Sequence, residues 1–361
     1  MDLYTLRTEI DRIDARIVGL LSERMERAAL TRRFKAEVAD GGREEAVLAG
    51  VRAKASGLAS PDFIAELYGR IMAESRRVQG LGRPLVGFQG ERGAYGDAAT
   101  RAWLEGAAPI PCKEFQDVFD GVAAGWLDYG LVPVENTLGG TVGQVNSILV
   151  ESGLRVVGAV DLPVEHCLLA LPGQDHRDIR YVYSHPQALA QCRRFLERNR
   201  LDGVAHYDTA GSARMLAEER PRASAAIASR YAGEIYGLEI MKEGVQDAAQ
   251  NRTRFFVLSK GGEAPTRPSR ADAPTRRKCS AVFFSDDKAG TLFGMLELFA
   301  KRGINLTRIE SAPYRPGDYA IFLDFDGDEG EPRVAEALAE AAGRAPGFRL
   351  LGCYDELRVA P

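Results

Sequence analysis

The chain has 361 residues, 45% hydrophobic and 27% charged, with a formal net charge of −4. That length holds two or three domains, and the near balance of charge excludes the basic field that nucleic acid requires. No run of eighteen apolar residues occurs, so no membrane span is expected.

The first element is helical. Leu3, Leu6, Ile10, Ile13, Ile17 and Leu20 recur every three or four residues, and the pattern predicts an amphipathic helix of more than thirty residues ending before Gly41. A helix that long cannot bury its stripe against itself. Two further helices are expected around 44–55 and 62–79, the second capped by Ser60 with Pro61 at its first position. With so few helices, a dimeric bundle is the economical solution. Arg24 and Lys35 return to nearly the same face at about 100° per residue, and Ser75 and Gln79 are one turn apart. Arg7 points away from Arg24, toward a different site such as one in a partner chain.

The stretch "LRTEIDRIDARIVGLLSERMERA", then Lys35, then "DGGREEAVL" and "IMAESRRVQ" resemble the all-helical chorismate mutase family across nearly all of residues 1–80. The resemblance implies an all-α domain that rearranges chorismate to prephenate. Its catalytic and substrate positions fall on Arg7, Arg24, Lys35, Asp40, Arg43, Glu44, Ser75 and Gln79, with a loop before Asp40 shorter than is common. A pericyclic step needs no acid, base or covalent intermediate. It needs a held geometry and donors at the ether oxygen, where negative charge builds as the C–O bond breaks. Arginine forks suit the two carboxylates. Arg24 and a partner-chain Arg7 therefore go to carboxylates, Lys35 and Gln79 to the ether oxygen, and Glu44 and Asp40 to the ring hydroxyl. Ser75 supports a carboxylate.

Gly80, Gly82 and Pro84 stop the last helix. From 83 to 260, β-branched runs alternate with Ala-rich helical stretches, the texture of an α/β fold. "RPLVGFQG" followed by "ERGAYGDAA" is a strand–loop–helix layout that presents backbone N–H groups to an anion. Polar residues recur at the carboxyl ends of strands, where α/β sheets bind ligands. Two such sheets predict two lobes and a cleft.

"GERGAY", "VPVENTLGG", "YSHPQALAQC" and "NRTRF" together resemble prephenate dehydratase over 83–260, with Gly96 where the family usually has Ser. The resemblance implies a periplasmic-binding-protein-like domain that converts prephenate to phenylpyruvate by loss of CO2 and the ring hydroxyl. Hydroxide must leave as water, so a donor is needed at that oxygen; the family assigns this role to Thr253. Arg254 either grips a carboxylate or orients Thr253. Asn136, Gln187 and Thr209 are expected substrate contacts, Glu135 and Ser184 further candidates, and Phe255 packs against the ring. His185 reads as a helix cap rather than a base.

Residues 261–277 are rich in Gly, Pro and Arg and read as an exposed linker. From 278 to 361 the order βαββαβ predicts a ferredoxin-like α+β domain. It resembles the ACT domain that follows prephenate dehydratases and binds phenylalanine between paired domains. Its ligand positions fall on Gly290, Thr291, Leu292, Phe293, Asn305 and 310–313, including Glu310 and Ser311. Ala312 replaces the family's arginine, and Arg315 is close by but not aligned. The five cysteines (Cys112, Cys167, Cys192, Cys279, Cys353) form no Cys-x-x-Cys pair, which argues against zinc or a disulfide framework and suits a reducing, cytoplasmic compartment. No dinucleotide fingerprint is evident. The expectation is thus a multidomain enzyme with no metal or other cofactor. Its substrates are chorismate and prephenate, its effector is phenylalanine, and its assembly is a homodimer or larger. The competing readings are a non-catalytic ligand-binding regulator and a one-activity dehydratase with a structural mutase-like domain.

Overall fold

The computed structural model describes residues 2–35, 41–265, 275–286, 290–315, 318–345 and 347–360. The chain divides into two compact units, Met1–Leu85 and Val86–Pro361. The first is three helices. Helix α1 (Leu3–Thr31) is started by the Asp2 carboxylate, which accepts from the Thr5 N–H at 2.8 Å, and runs into one tight turn, Arg32–Phe34. It is thus a little shorter than the periodicity suggests. After it come α2 (Gly41–Lys54) and α3 (Pro61–Gly80), the latter capped by Ser60 with Pro61 leading. Helix α3 packs on both others and buries Ala65, Met72, Ser75 and Gln79. The stripe of α1 stays open, with Leu3 62%, Ile10 56% and Ile13 54% exposed.

The second unit begins with a lobe of β1 (Leu85–Gln89), α4 (Tyr95–Trp103), β2 (Ala108–Cys112), α5 (Phe115–Ala124), β3 (Tyr129–Asn136), β4 (Gly140–Thr141), α6 (Gly143–Glu151) and β5 (Arg155–Pro163). The chain then crosses to a second lobe: β6 (Cys167–Ala170), β7 (Tyr181–Ser184), α7 (Pro186–Gln191), α8 (Arg193–Asn199), β8 (Asp202–Ala205), α9 (Thr209–Glu219), β9 (Ser224–Ala228), α10 (Arg230–Tyr236) and β10 (Glu239–Lys242). Its five strands run in the order β10-β6-β9-β7-β8. Strand β11 (Arg252–Ser259) returns to the first lobe, antiparallel between β3 and β5. Two crossings between two sheets make the expected two-lobed cleft.

The tail follows the expected order: β12 (Thr275–Asp286), α11 (Thr291–Lys301), β13 (Leu306–Arg315), β14 (Asp318–Asp326), α12 (Pro332–Arg344) and β15 (Arg349–Arg358). Strand β12 already pairs at Thr275, inside the stretch expected as linker. Phe283, Phe299, Phe325 and Val334 form its core. Strand β15 pairs with β12 on one side and, in parallel, with β5 on the other, so tail and first lobe share one ten-stranded sheet. Gly352 sits at this junction. A Cβ there would lie 2.0 Å from the Val156 carbonyl oxygen, so only glycine allows the approach.

Cys279 and Cys353 face each other across β12 and β15 with Cα atoms 4.0 Å apart and form a disulfide, contrary to the expectation from spacing. A sheet register joins residues 74 apart that no local motif connects.

Candidate active site

In the helical unit, Arg24 of α1 donates to Ser75 Oγ of α3, whose own hydrogen goes to the Ile71 carbonyl at 2.8 Å. Gln79, one turn further on, is buried, and its Oε1 has no hydrogen-bond partner among the described residues. Glu44 pairs with Arg76, an arginine outside the expected set. Arg7, Lys35 and Arg43 are exposed. Among the described residues, neither Arg7 nor Lys35 is bonded to Arg24, Ser75 or Gln79. Asp40 lies outside the described residues. One chain therefore brings together Arg24, Ser75 and Gln79, and leaves Arg7 and Lys35 outside that group.

The second unit holds a cavity of about 520 Å³ between its lobes. Thr253, Phe255 and Asn136 line it from the first lobe, and Gln187, Thr209, Asp208 and His166 from the second. Residues of the first turns of α4, α7 and α9 also line it, so three helix N-termini face the space. No lysine or arginine among the described residues lines it. The loop after β1 spans the cleft. Glu91 accepts from Tyr207 Oη and from Arg214 Nη1, each at 2.9 Å, and Ser229 Oγ donates to the Gly93 carbonyl. Gly139 admits Gln187 Nε2 to within 2.2 Å of where a Cβ would stand, so a side chain in the "LGG" turn would push Gln187 out of its place on the cavity wall.

Asn136 organises the floor. Its Oδ1 accepts the backbone N–H groups of Leu138 and Gly139, at 3.1 and 2.7 Å, which fixes the amide orientation. Its Nδ2 then donates to Thr253 Oγ1 and to Asn251 Oδ1, both at 2.9 Å. The Thr253 oxygen is thus an acceptor inside the protein, and its own hydrogen is left for the cavity. Behind Asn251 the network runs on to Gln191, His166 and Tyr95. Burial lowers the His166 pKa, favouring the neutral ring, and raises that of Tyr95. Burial also raises the Asp208 carboxyl, although the Gly211 N–H that it caps opposes the shift. Sequence reasoning assigned no role to Asn251, Gln191, His166 or Tyr95. Asn251 and Gln191 stand inside the quoted motifs, whereas His166 follows a strand with no motif to mark it.

Three expected substrate contacts lie elsewhere. Arg254 points through the opposite face of β11 and is buried between Asp324 and Glu356 of the tail, with Tyr354 Oη at 3.0 Å. It neither grips a ligand in the cleft nor contacts Thr253 through its guanidinium. Glu135 shares that opposite face. Ser184 is fully buried and donates to the Ile227 carbonyl at 2.6 Å, tying β7 to β9. His185 caps α7 by accepting the Gln187 N–H, as its position before a proline suggested.

A profile of the prephenate dehydratase family matches residues 86–263. Arogenate dehydratase/prephenate dehydratase 6 of Arabidopsis thaliana is 40% identical over 287 residues, which cover 74% of this chain and 68% of that protein. The chain belongs to the prephenate dehydratase family. It spans about two thirds of the length of such curated relatives. Type II chorismate mutase matches residues 6–80 and the ACT domain 280–343, so an isomerase and a lyase segment share one polypeptide with a regulatory domain. Prephenate dehydratase from Arthrobacter aurescens, solved with L-Phe, is 33% identical and covers 75% of this chain and 89% of its own, at a TM-score of 0.67. GqqA, described as a quorum quenching acylase, is 34% identical with coverages of 75% and 98% and the same TM-score.

In the ACT domain, Gly290 precedes α11 in a left-handed conformation, φ +90°, and Thr291 and Leu292 begin the helix. Leu292 and Phe293 are exposed. Asn305 donates to Asp326 Oδ2 at 3.0 Å. Ser311 is exposed and Ala312 buried. Glu310 reaches the catalytic domain, accepting from Thr141 Oγ1 at 2.6 Å, and Thr141 lines the cleft cavity. The side chain of Arg315 lies outside the described residues. Among the described residues, no helix is long and apolar enough to cross a membrane.

Proposed function

We propose that the chain carries out two consecutive reactions of phenylalanine biosynthesis in two separate pockets. The helical unit rearranges chorismate. Arg24, held by Ser75, takes a carboxylate, and the Gln79 amide nitrogen donates to the ether oxygen. The open stripe of α1 supports a second copy as the missing wall, which would bring its own Arg7 to the pocket, so the working form is a homodimer or larger.

The cleft dehydrates prephenate. Electrons of the breaking C–CO2 bond move into the ring, CO2 departs, and the ring expels its hydroxyl at the opposite carbon. Thr253 gives its proton to that oxygen, which leaves as water, and regains one from solvent. The observation that carries this reading is the Asn136 N–H on Thr253 Oγ1, which stabilises charge on the oxygen as the proton leaves. With no cation among the described residues lining the cavity, the helix N-termini, Gln187 and Thr209 take the substrate carboxylates. The ACT domain binds phenylalanine as feedback effector at Gly290, Thr291, Leu292, Asn305, Glu310 and Ser311. We also keep the enzyme in the cytoplasm. Three cysteines lie outside any disulfide, and the bonded pair is locked in a sheet core.

The test is to supply chorismate and follow prephenate and phenylpyruvate separately. Arg24→Ala should stop the first step and spare the second, and Thr253→Ala the reverse. Loss of both activities in each folded variant rules out separate pockets.

A further inference from the structure

The face of the ten-stranded sheet turned away from Thr253 carries a second cavity, about 390 Å³, where the dehydratase lobe meets the ACT domain. Five cations line it: Arg252 and Arg254 from β11, Arg276 and Lys278 from β12, and Arg358 from β15. Three carboxylates oppose them, and two are shared. Asp161 serves both Arg252, at 2.8 Å, and Arg358, at 3.5 Å. Glu356 serves both Arg254 and Lys278. Asp324, behind the wall, takes a further share of Arg254. Arg276 has no ion pair among the described residues, and the third carboxylate, Glu135, has none either.

Arg254, Lys278 and Glu356 are each less than a tenth exposed, so the floor is held rigidly. Arg276 and Arg358 are exposed at the rim, where Arg358 has only its 3.5 Å pairing with Asp161 to give up on closing over a guest. The floor arginines are engaged by carboxylates, by Tyr354 and by the Asp161 and Val359 carbonyls, so the two rim forks of Arg276 and Arg358 are the ones that match a small oxyanion with two charges, because each fork takes two acceptor oxygens. Glu135 offers such a guest an acceptor for one hydroxyl hydrogen.

We propose that this cavity is a second ligand site, distinct from the catalytic cleft, for a small doubly charged oxyanion, either a phosphate or a hydroxylated dicarboxylate. A guest there bridges β3 and β11 of the lobe to β12 and β15 of the ACT domain. Thr253 lies between Arg252 and Arg254 on the same strand, so the guest braces the strand that carries the proposed acid from behind.

The full-length protein is titrated with inorganic phosphate, malate and succinate against chloride of matched ionic strength, by calorimetry and thermal melting. Saturable binding of phosphate or malate with a rise in melting temperature is expected, and whichever binds more tightly identifies the source. Malate should bind more tightly than succinate, and Glu135→Ala, which removes the acceptor, should erase that preference. The doubly substituted R276Q/R358Q protein should bind about tenfold or more weakly for each arginine removed, while T253A binds as the parent does. Three results overturn the proposal: no saturable binding, an equal rise in parent and R276Q/R358Q, which is general salt exclusion, or loss of binding in T253A.

Discussion

The amide of Asn136 donates to the hydroxyl of Thr253 at 2.9 Å, in a direction fixed by the two backbone N–H groups that Asn136 accepts. Thr253→Val keeps the shape and removes the acidic hydrogen. It should lower kcat of the dehydratase by about 10²–10⁴ with little change in melting temperature. Asn136→Ala removes the donor and should cost about 10²–10³ in kcat. Steady-state assays on prephenate check both, and a Thr253→Val enzyme within tenfold of the parent would remove the hydroxyl from the mechanism.

Arg254 makes a different kind of prediction, because both its carboxylate partners belong to the ACT domain. Arg254→Met leaves Asp324 to Arg308 and Glu356 to Lys278 alone and should destabilise the second unit by up to about 3 kcal/mol. Burial alone would raise the Asp324 carboxyl, but Arg254 and Arg308 with Ser280 hold it below its ordinary value. A lowered carboxyl stabilises the fold above the ordinary carboxylate range and loses that contribution as pH falls through the lowered value. Acid unfolding should therefore begin at higher pH in Asp324→Asn than in the parent. If Arg254→Met melts normally and only KM rises, the arginine holds substrate after all.

The disulfide gives a third. Closing a loop of 74 residues stabilises the fold by about 4.5 kcal/mol in the chain-entropy model. Thiol reductant should lower the melting temperature of the parent and leave that of Cys353→Ser unchanged. Equal sensitivity in the two proteins would show that the bond is absent in solution.

What the sequence made legible follows from the range of its signals. The helix stripe, the Ser60 cap and the alternation of strands and helices are local, and the elements formed nearly where the periodicities put them. Thr253 and Asn136 meet because β3 ends and its antiparallel neighbour β11 begins at the cleft. Arg254 was misread because adjacent strand residues point to opposite faces. If Thr253 faces the cleft, its neighbour cannot. Ser184 is likewise a strand residue turned inward. The fusion of β15 to β5, the disulfide and the polar chain behind Asn251 depend on registers between distant segments, for which no spacing rule exists. The stripe on α1 was readable as apolar, but what covers it is not encoded within one chain.

Thr141 and Glu310 join the cleft to the ACT domain. Thr141 lines the cleft, Glu310 lies on β13 among the proposed phenylalanine contacts, and their hydrogen bond is 2.6 Å long. A hydrogen bond to a charged acceptor contributes about 1.5–3 kcal/mol, comparable to a typical coupling energy between sites of about 1–3 kcal/mol. Phenylalanine that draws the Glu310 carboxylate toward its ammonium must weaken the bond to Thr141 and so disturb the cleft. Thr141→Val removes the bond while leaving Glu310 to the effector. The variant should still bind phenylalanine by calorimetry, yet the ratio of dehydratase rates without and with millimolar phenylalanine should fall toward one. Because coupling is reciprocal, a substrate analogue should also cease to alter phenylalanine affinity in the variant. Inhibition of Thr141→Val to the same depth, with the same half-saturation as the parent, would place the coupling elsewhere.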